Sequence, residues 1–253
     1  MITSSNNAKV KQVVQWQTKA KERRKDHVFL AEGVRMCEEA PVKSVREVYL
    51  TEELEQKLRQ NAQNGDTAFW DKLQQTGYET VSPEVFAKMA DTQTPQGILN
   101  VLEQPAYDLT QLLEHPKPLF LILENVQDPG NLGTMIRTGE GAGITGVIMN
   151  QQTVDIFNPK TIRATMGSIF RVPFVYVPEL STVLTQMHER GIHTYAAHLK
   201  GQKYYDSFSF REPTAFLIGN EGNGLTKEIS DQAGQYLKIP MEGKVESLNA
   251  SIA

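Results

Sequence analysis

Apolar positions in the second half of the chain gather into short, unbroken runs. Residues 119–123 read Leu-Phe-Leu-Ile-Leu, the pattern of a strand covered on both faces. Similar segments recur at 146–149, 174–177, 193–197, 215–218 and 236–239. Between them lie stretches with helical spacing, at 131–141, 159–169, 180–190 and 226–232. Six strands with intervening helices predict a parallel sheet with helices on both faces. The first hundred residues alternate less regularly. A helix starts near Ser5 or Asn6, with Val10, Val13, Val14 and Trp16 or Gln17 as a partial apolar stripe. Strands are expected at 27–30, 45–50, 78–81 and 98–102, and helices at 33–39, at 52–61 with Leu54 and Leu58 on one face, and from Ser82-Pro83-Glu84 onward. This is a small α/β domain. Pro105, Pro116 and a polar mix over 103–117 mark the boundary, although Leu109, Leu112 and Leu113 are spaced for a short helix inside it. The expected division is 1–105 and 116–253.

Charge adds an asymmetry. The chain carries a net −4, yet residues 1–27 hold seven Lys or Arg against Glu22 and Asp26, so this end is +5 and the remainder −9. Positive charge at one end suits contact with a phosphate backbone through Lys19, Lys21, Arg23, Arg24 and Lys25; a solvated helix face is the competing reading. Cys37 is the single cysteine, which rules out an intrachain disulfide and a four-cysteine zinc site. No apolar run approaches the roughly 20 residues of a membrane span, and the start lacks a signal-peptide pattern, so a cytoplasmic address is expected.

Three segments break from the end of a buried strand into Gly, Asn and Glu: 124–133, 219–225 and 240–249. In open α/β sheets ligands bind beyond the strand ends, where such loops supply backbone donors and acceptors. Taken singly, each is equally explained as a tight turn or helix cap. Arg137 stands early in the helix that follows the first loop. A phosphate loop, a His-Glu-x-x-His helix and a Gly-x-Ser-x-Gly elbow are all missing. Gly139 to Gly143 lacks dinucleotide spacing and reads as a helix end. The five histidines form no metal-ligand pattern, so no metal is expected.

At these loops the sequence closely resembles the SpoU/TrmH family of RNA 2'-O-ribose methyltransferases, of the knotted SPOUT class. Asn125, Asn131, Gly133 and Arg137 match its first motif; Ile218-Gly219-Asn220-Glu221-Gly222-Asn223-Gly224-Leu225 its second; and Ile239-Pro240-Met241 with Val245-Glu246-Ser247-Leu248-Asn249-Ala250-Ser251-Ile252-Ala253 its third. Val28-Phe29-Leu30-Ala31-Glu32-Gly33 is similar to a phrase of the ribosomal-protein-like RNA-binding domain that precedes the catalytic domain in many members.

The resemblance implies an α/β chain whose C-terminal parallel-sheet domain carries a deep trefoil knot. It implies S-adenosylmethionine held by Thr194, Ala196, Ala197, Ile218, Gly219, Asn220, Gly222, Ile239, Met241, Ser247, Leu248 and Asn249, mostly through backbone. The implied catalytic set is Arg137, Asn125, Glu221, Ser247 and Asn249. RNA would be met by Asn131 and Arg137 together with the basic cluster. Members are homodimers with the site near the subunit interface. They usually continue with another helix after the third motif, whereas the sequence here stops at Ala253, the motif's last residue. Large-subunit ribosomal RNA is the expected substrate. Transfer RNA, methylation of a base, and a non-catalytic RNA-binding or ribosome-assembly role are the alternatives.

Overall fold

The computed structural model describes residues 1–243 and 248–253. It resolves into two compact units. The first is built from α1 (Ala8–Thr18), α2 (Ala20–Asp26), β1 (Val28–Glu32), α3 (Val34–Glu39), β2 (Val45–Thr51), α4 (Glu52–Gln63), α5 (Ala68–Thr76), β3 (Glu79–Val81), α6 (Pro83–Met89) and β4 (Ile98–Glu103). Its sheet runs β1-β4-β2-β3, antiparallel except for the β2–β3 pair. Strand alternation sorts the apolar residues onto two faces. Tyr49 joins Val28 and Leu30 under α1 and α6, with Val10, Val13, Trp16, Phe86 and Met89. Val48 and Leu50 face the other way, against Leu54 and Leu58 of α4 and Phe69 and Leu73 of α5.

The second unit begins with α7 (Leu109–Leu113), β5 (Leu119–Leu123), α8 (Pro129–Ala142) and β6 (Gly146–Asn150). The chain then returns to the first unit for residues 155–170, which carry α9 (Pro159–Thr165). There Phe157 packs on Phe29, ring centroids 5.1 Å apart, and Arg163 pairs with Asp91. The second unit resumes with β7 (Phe174–Val177), α10 (Leu180–Glu189), β8 (His193–Ala197), β9 (Lys203–Tyr204), β10 (Thr214–Ile218), α11 (Lys227–Gln232) and β11 (Gln235–Lys238). Among the described residues its sheet has seven strands in the order β7-β6-β5-β10-β8-β11-β9, every pair parallel. The fold class is α/β, a small domain preceding a parallel-sheet domain, as expected.

Several expectations shift. The first helix is capped by Asn7, whose side chain accepts from the Lys9 N–H at 2.9 Å, and not by Ser5 or Asn6. Helix α5 is hidden in the sequence behind the Asn64-Gly65-Asp66 turn, although Phe69 and Leu73 carry the helical interval. The helix expected over 159–169 stops at Thr165, because Met166 and Gly167 take φ values of 50° and 95°. A seventh strand, β9, joins the six expected; two residues are too few to leave a hydropathy signal. Gly143, at φ 73°, ends α8 as a left-handed cap, consistent with the glycine cluster being a helix end. Among the described residues no helix is long and apolar enough to cross a membrane.

Candidate functional site

Because the sheet is parallel, the C-terminal ends of its strands share one edge. The chain winds outward in opposite directions from the β5–β10 neighbourhood, the kind of switch point at which α/β sheets open a crevice. A cavity of about 280 Å³ lies along this edge. Its walls are Ala197, His198 and Leu199 at the end of β8, residues 218–225 at and beyond the end of β10, and Leu237, Lys238, Ile239 and Met241 at β11, with Leu248, Ala250 and Ala253 from the end of the chain. The wall after β10 depends on Gly219. A Cβ there would stand 2.1 Å from the Gly224 carbonyl carbon and the Leu225 nitrogen. Only glycine lets the chain fold back so that Asn220 and Gly224 exchange backbone hydrogen bonds of 3.0 and 2.9 Å. His198 closes one side, stacked on Tyr236 at 4.8 Å.

A polar network ties the β5 loop to the β10 loop. Asn125 adopts φ 57° and donates its backbone N–H to Asn150 Oδ1 at 3.0 Å, while Asn150 Nδ2 donates to Asn125 Oδ1 at 2.8 Å. The Asn125 carbonyl accepts from Asn220 Nδ2 at 2.9 Å. Asn220 Oδ1 in turn accepts the backbone N–H groups of Gly222 and Asn223. Glu221 reaches across to accept from the backbone N–H of Gln127 (3.0 Å) and Asp128 (2.9 Å) and from Asn131 Nδ2 (3.1 Å). Partial burial pushes its pKa up, but the hydrogen bonds together outweigh that and hold the carboxyl below the usual carboxylate range. Asn131 Oδ1 accepts from Asn249 Nδ2 at 3.0 Å, which brings the chain end into the same network.

The residues anticipated from sequence therefore divide. Ala197, Ile218, Gly219, Asn220, Gly222, Ile239, Met241 and Leu248 line the cavity, and Glu221 lines it while joining the network. Asn125, Asn131 and Asn249 belong to the network beside it. Thr194 and Ala196 do not reach the cavity. Ala196 is fully buried in the core, and the Thr194 hydroxyl is held by His188 and the Gly234 N–H, because only the last residue of β8 projects past the sheet edge. Ser247 lies outside the described residues. Arg137 is exposed on α8, away from the cavity lining, with no hydrogen-bond or ion-pair partner among the described residues.

In the first unit Lys19, Lys21, Arg24 and Lys25 are exposed. Arg23 corrects the reading of that cluster. It is 3% exposed, pairs with Asp155 at 2.6 Å and donates to the Trp16 and Gln17 carbonyls, so it joins elements of the fold and is not presented to a ligand.

Two polar residues that sequence reasoning passed over hold the site from beneath. Glu124, 5% exposed, accepts from both the N–H and the hydroxyl of Thr226 at 2.7 Å, fixing the start of α11. Asn150, 8% exposed, holds Asn125. The available signal was a polar residue ending an otherwise apolar strand run, where burial demands a partner. Among the described residues no three His, Cys, Asp or Glu side chains gather as metal ligands.

Residues 118–253 match the model of the SpoU rRNA Methylase family, and residues 7–100 that of an MRM3-like substrate binding domain. The chain is 33% identical to the 23S rRNA (guanosine(2553)-2'-O)-methyltransferase RlmP of Bacillus subtilis (strain 168), over 100% of this chain and 95% of that protein. The AdoMet-bound rRNA methyltransferase from Sinorhizobium meliloti superposes with a TM-score of 0.83 at 30% identity, covering 99% of this chain and 92% of that one. The SpoU methyltransferase AviRb from Streptomyces viridochromogenes, in complex with AdoMet, gives 0.82 at 26% identity, covering 98% and 94%.

Proposed function

The chain belongs to the SpoU rRNA methylase family, and on that premise we propose that it methylates a ribose 2'-hydroxyl of large-subunit ribosomal RNA. The reaction class is S-adenosylmethionine-dependent RNA 2'-O-ribose methylation. The large-subunit substrate is drawn from RlmP and from the 23S rRNA (uridine(2479)-2'-O)-methyltransferase of Streptomyces viridochromogenes, which is 30% identical over 68% of this chain.

The observation that carries the reading is the cavity where the ends of β8, β10 and β11 meet. Its bare backbone at Gly219 and its apolar walls at Ala197, Ile218, Ile239 and Met241 suit a flat base and the carbon chain flanking a sulfonium, with Asn220 and Glu221 for the polar and cationic groups. S-adenosylmethionine supplies the methyl group when bound. The protein's own task is to position the acceptor and manage its proton, since a 2'-hydroxyl is a poor nucleophile while protonated. RNA, not DNA, carries that hydroxyl. Arg137, cationic at any working pH, is assigned to the target phosphate and to proton passage through it. Asn125 and Asn249 orient the ribose or the loops around it, and Glu221 and Ser247 order the site. Residues 1–105, with the 155–170 segment that folds among them, are assigned RNA binding and the remainder of 116–253 methyl transfer, a division supported by the matches over 7–100 and 118–253. A cytoplasmic homodimer completes the proposal; exposed Leu199 and Leu248 in the cavity wall, with exposed Ile252, supply apolar surface for a second copy.

Mapping ribose methylation in cellular RNA with and without the gene tests the substrate. One 2'-O-methyl group missing from large-subunit rRNA is the expected result; a loss confined to transfer RNA would reassign the substrate, and no loss would refute the proposal. Arg137→Ala should abolish turnover and leave S-adenosylmethionine binding intact by calorimetry. Full activity in that variant would remove Arg137 from the site.

A further inference from the structure

A second cavity, of about 330 Å³, abuts the first. The two share Asn220, Asn223, Gly224 and Leu225, so they adjoin along a single hairpin. Four amide side chains line the second cavity, from Asn125, Gln127, Asn220 and Asn223, with Thr226 at its edge and no charged side chain. We propose that this cavity seats the acceptor nucleoside of the RNA, with Gln127 and Asn223 reading its base edge.

The argument follows from which amide atoms are already engaged. Both ends of the Asn220 amide are occupied, by the Asn125 carbonyl on one side and the Gly222 and Asn223 N–H groups on the other. Gln127 donates its Nε2 to the carbonyls of Asn125 and Gln152. The Thr226 hydroxyl donates to Glu124. Among the described residues Gln127 Oε1, Asn125 Nδ2 and both atoms of the Asn223 amide are left without partners. Asn150, gripping the Asn125 Oδ1 and N–H, fixes which way the Asn125 amide faces. The cavity thus offers free donors and acceptors together, with no charge. That set complements a nucleobase edge and a ribose, which carry mixed donors and acceptors. A phosphate would call for Arg or Lys. Unpaired RNA bases are read by such contacts once splayed from the strand. A nucleoside here lies against the same Asn220–Gly224 hairpin that lines the methyl donor's cavity, so its ribose can extend along that shared rim to meet the methyl group in line.

The inference rests on the reading of the first cavity as the cofactor site, and the test separates the two. The variant Gln127→Ala, whose side chain lines the second cavity and not the first, is compared with the native chain on large-subunit rRNA from cells lacking the gene. Its KM for RNA should rise roughly tenfold, as expected for loss of about one net hydrogen bond to the ligand. S-adenosylmethionine affinity by calorimetry should stay within about twofold, a change near the limit of significance. An unchanged KM, or cofactor affinity falling in step with it, would overturn the assignment. If the native chain itself transferred no methyl group to that RNA, the proposed function would fail, not this assignment alone.

Discussion

Glu221→Gln is the most discriminating perturbation of the site. The native carboxylate accepts from three donors, two backbone N–H groups and the Asn131 amide, and so staples the β10 loop to the β5 loop. A glutamine keeps the shape but turns one acceptor into a donor facing an N–H. Hydrogen bonds to a charged acceptor contribute about 1.5–3 kcal/mol against about 0.5–1.5 for neutral ones, a difference of about 3–4.5 kcal/mol over three bonds, which solvent screening of this half-exposed carboxylate reduces to roughly 2–3 kcal/mol at neutral pH. The pH dependence has a definite sign. The folded carboxyl titrates below its unfolded value, so this stability is fully present above the unfolded pKa and is lost as pH falls through the folded one. Denaturant melts of both chains, taken between about pH 3 and 8, should show a constant difference above about pH 5 that closes on the acid side. A difference that persists undiminished in acid, or none near neutrality, would refute the account of Glu221 as an ionised staple.

Gly219→Ala should destabilise the chain by roughly 1–3 kcal/mol through overlap with the Gly224–Leu225 backbone, and should remove measurable S-adenosylmethionine binding by calorimetry. Within the basic cluster, Arg23→Ala should cost about 3 kcal/mol in a melt, since it leaves Asp155 without its partner. The triple change Lys21→Ala/Arg24→Ala/Lys25→Ala should leave the melt unchanged and flatten the salt dependence of RNA binding by about one unit of slope for each phosphate no longer neutralised.

The strands are legible where burial leaves a continuous apolar run, as in β5 and β7, and these two with the more mixed β8 match their expected bounds residue for residue. The loops are legible as glycine and asparagine at strand ends, which is why Asn125, Asn131, Glu221 and Asn249 stand out before any hydrogen bond is seen. Arg23 is not legible, because a run of Lys and Arg hides which one turns inward; that depends on Asp155, more than a hundred positions away. Thr194 and Ala196 sit one step deeper than a cavity wall requires, because residue type does not say where a strand meets the edge of its sheet. Glu124 and Asn150 escape notice because a lone polar residue after an apolar run reads as the start of a loop. Burial makes them the supports of the site.

The detour of residues 155–170 bears on how this chain could be taken apart or recombined. The backbone passes between the two units after Pro105, after Val154 and again after Phe170, so neither unit is one uninterrupted stretch of gene. A fragment ending at Pro105 would carry Phe29 without the ring of Phe157 and Arg23 without its carboxylate. Limited proteolysis at a single site cannot liberate either half, and exchanging RNA-binding halves between relatives would require splicing the 155–170 segment along with the N-terminal portion. Modularity here is a property of the folded molecule and not of its linear order.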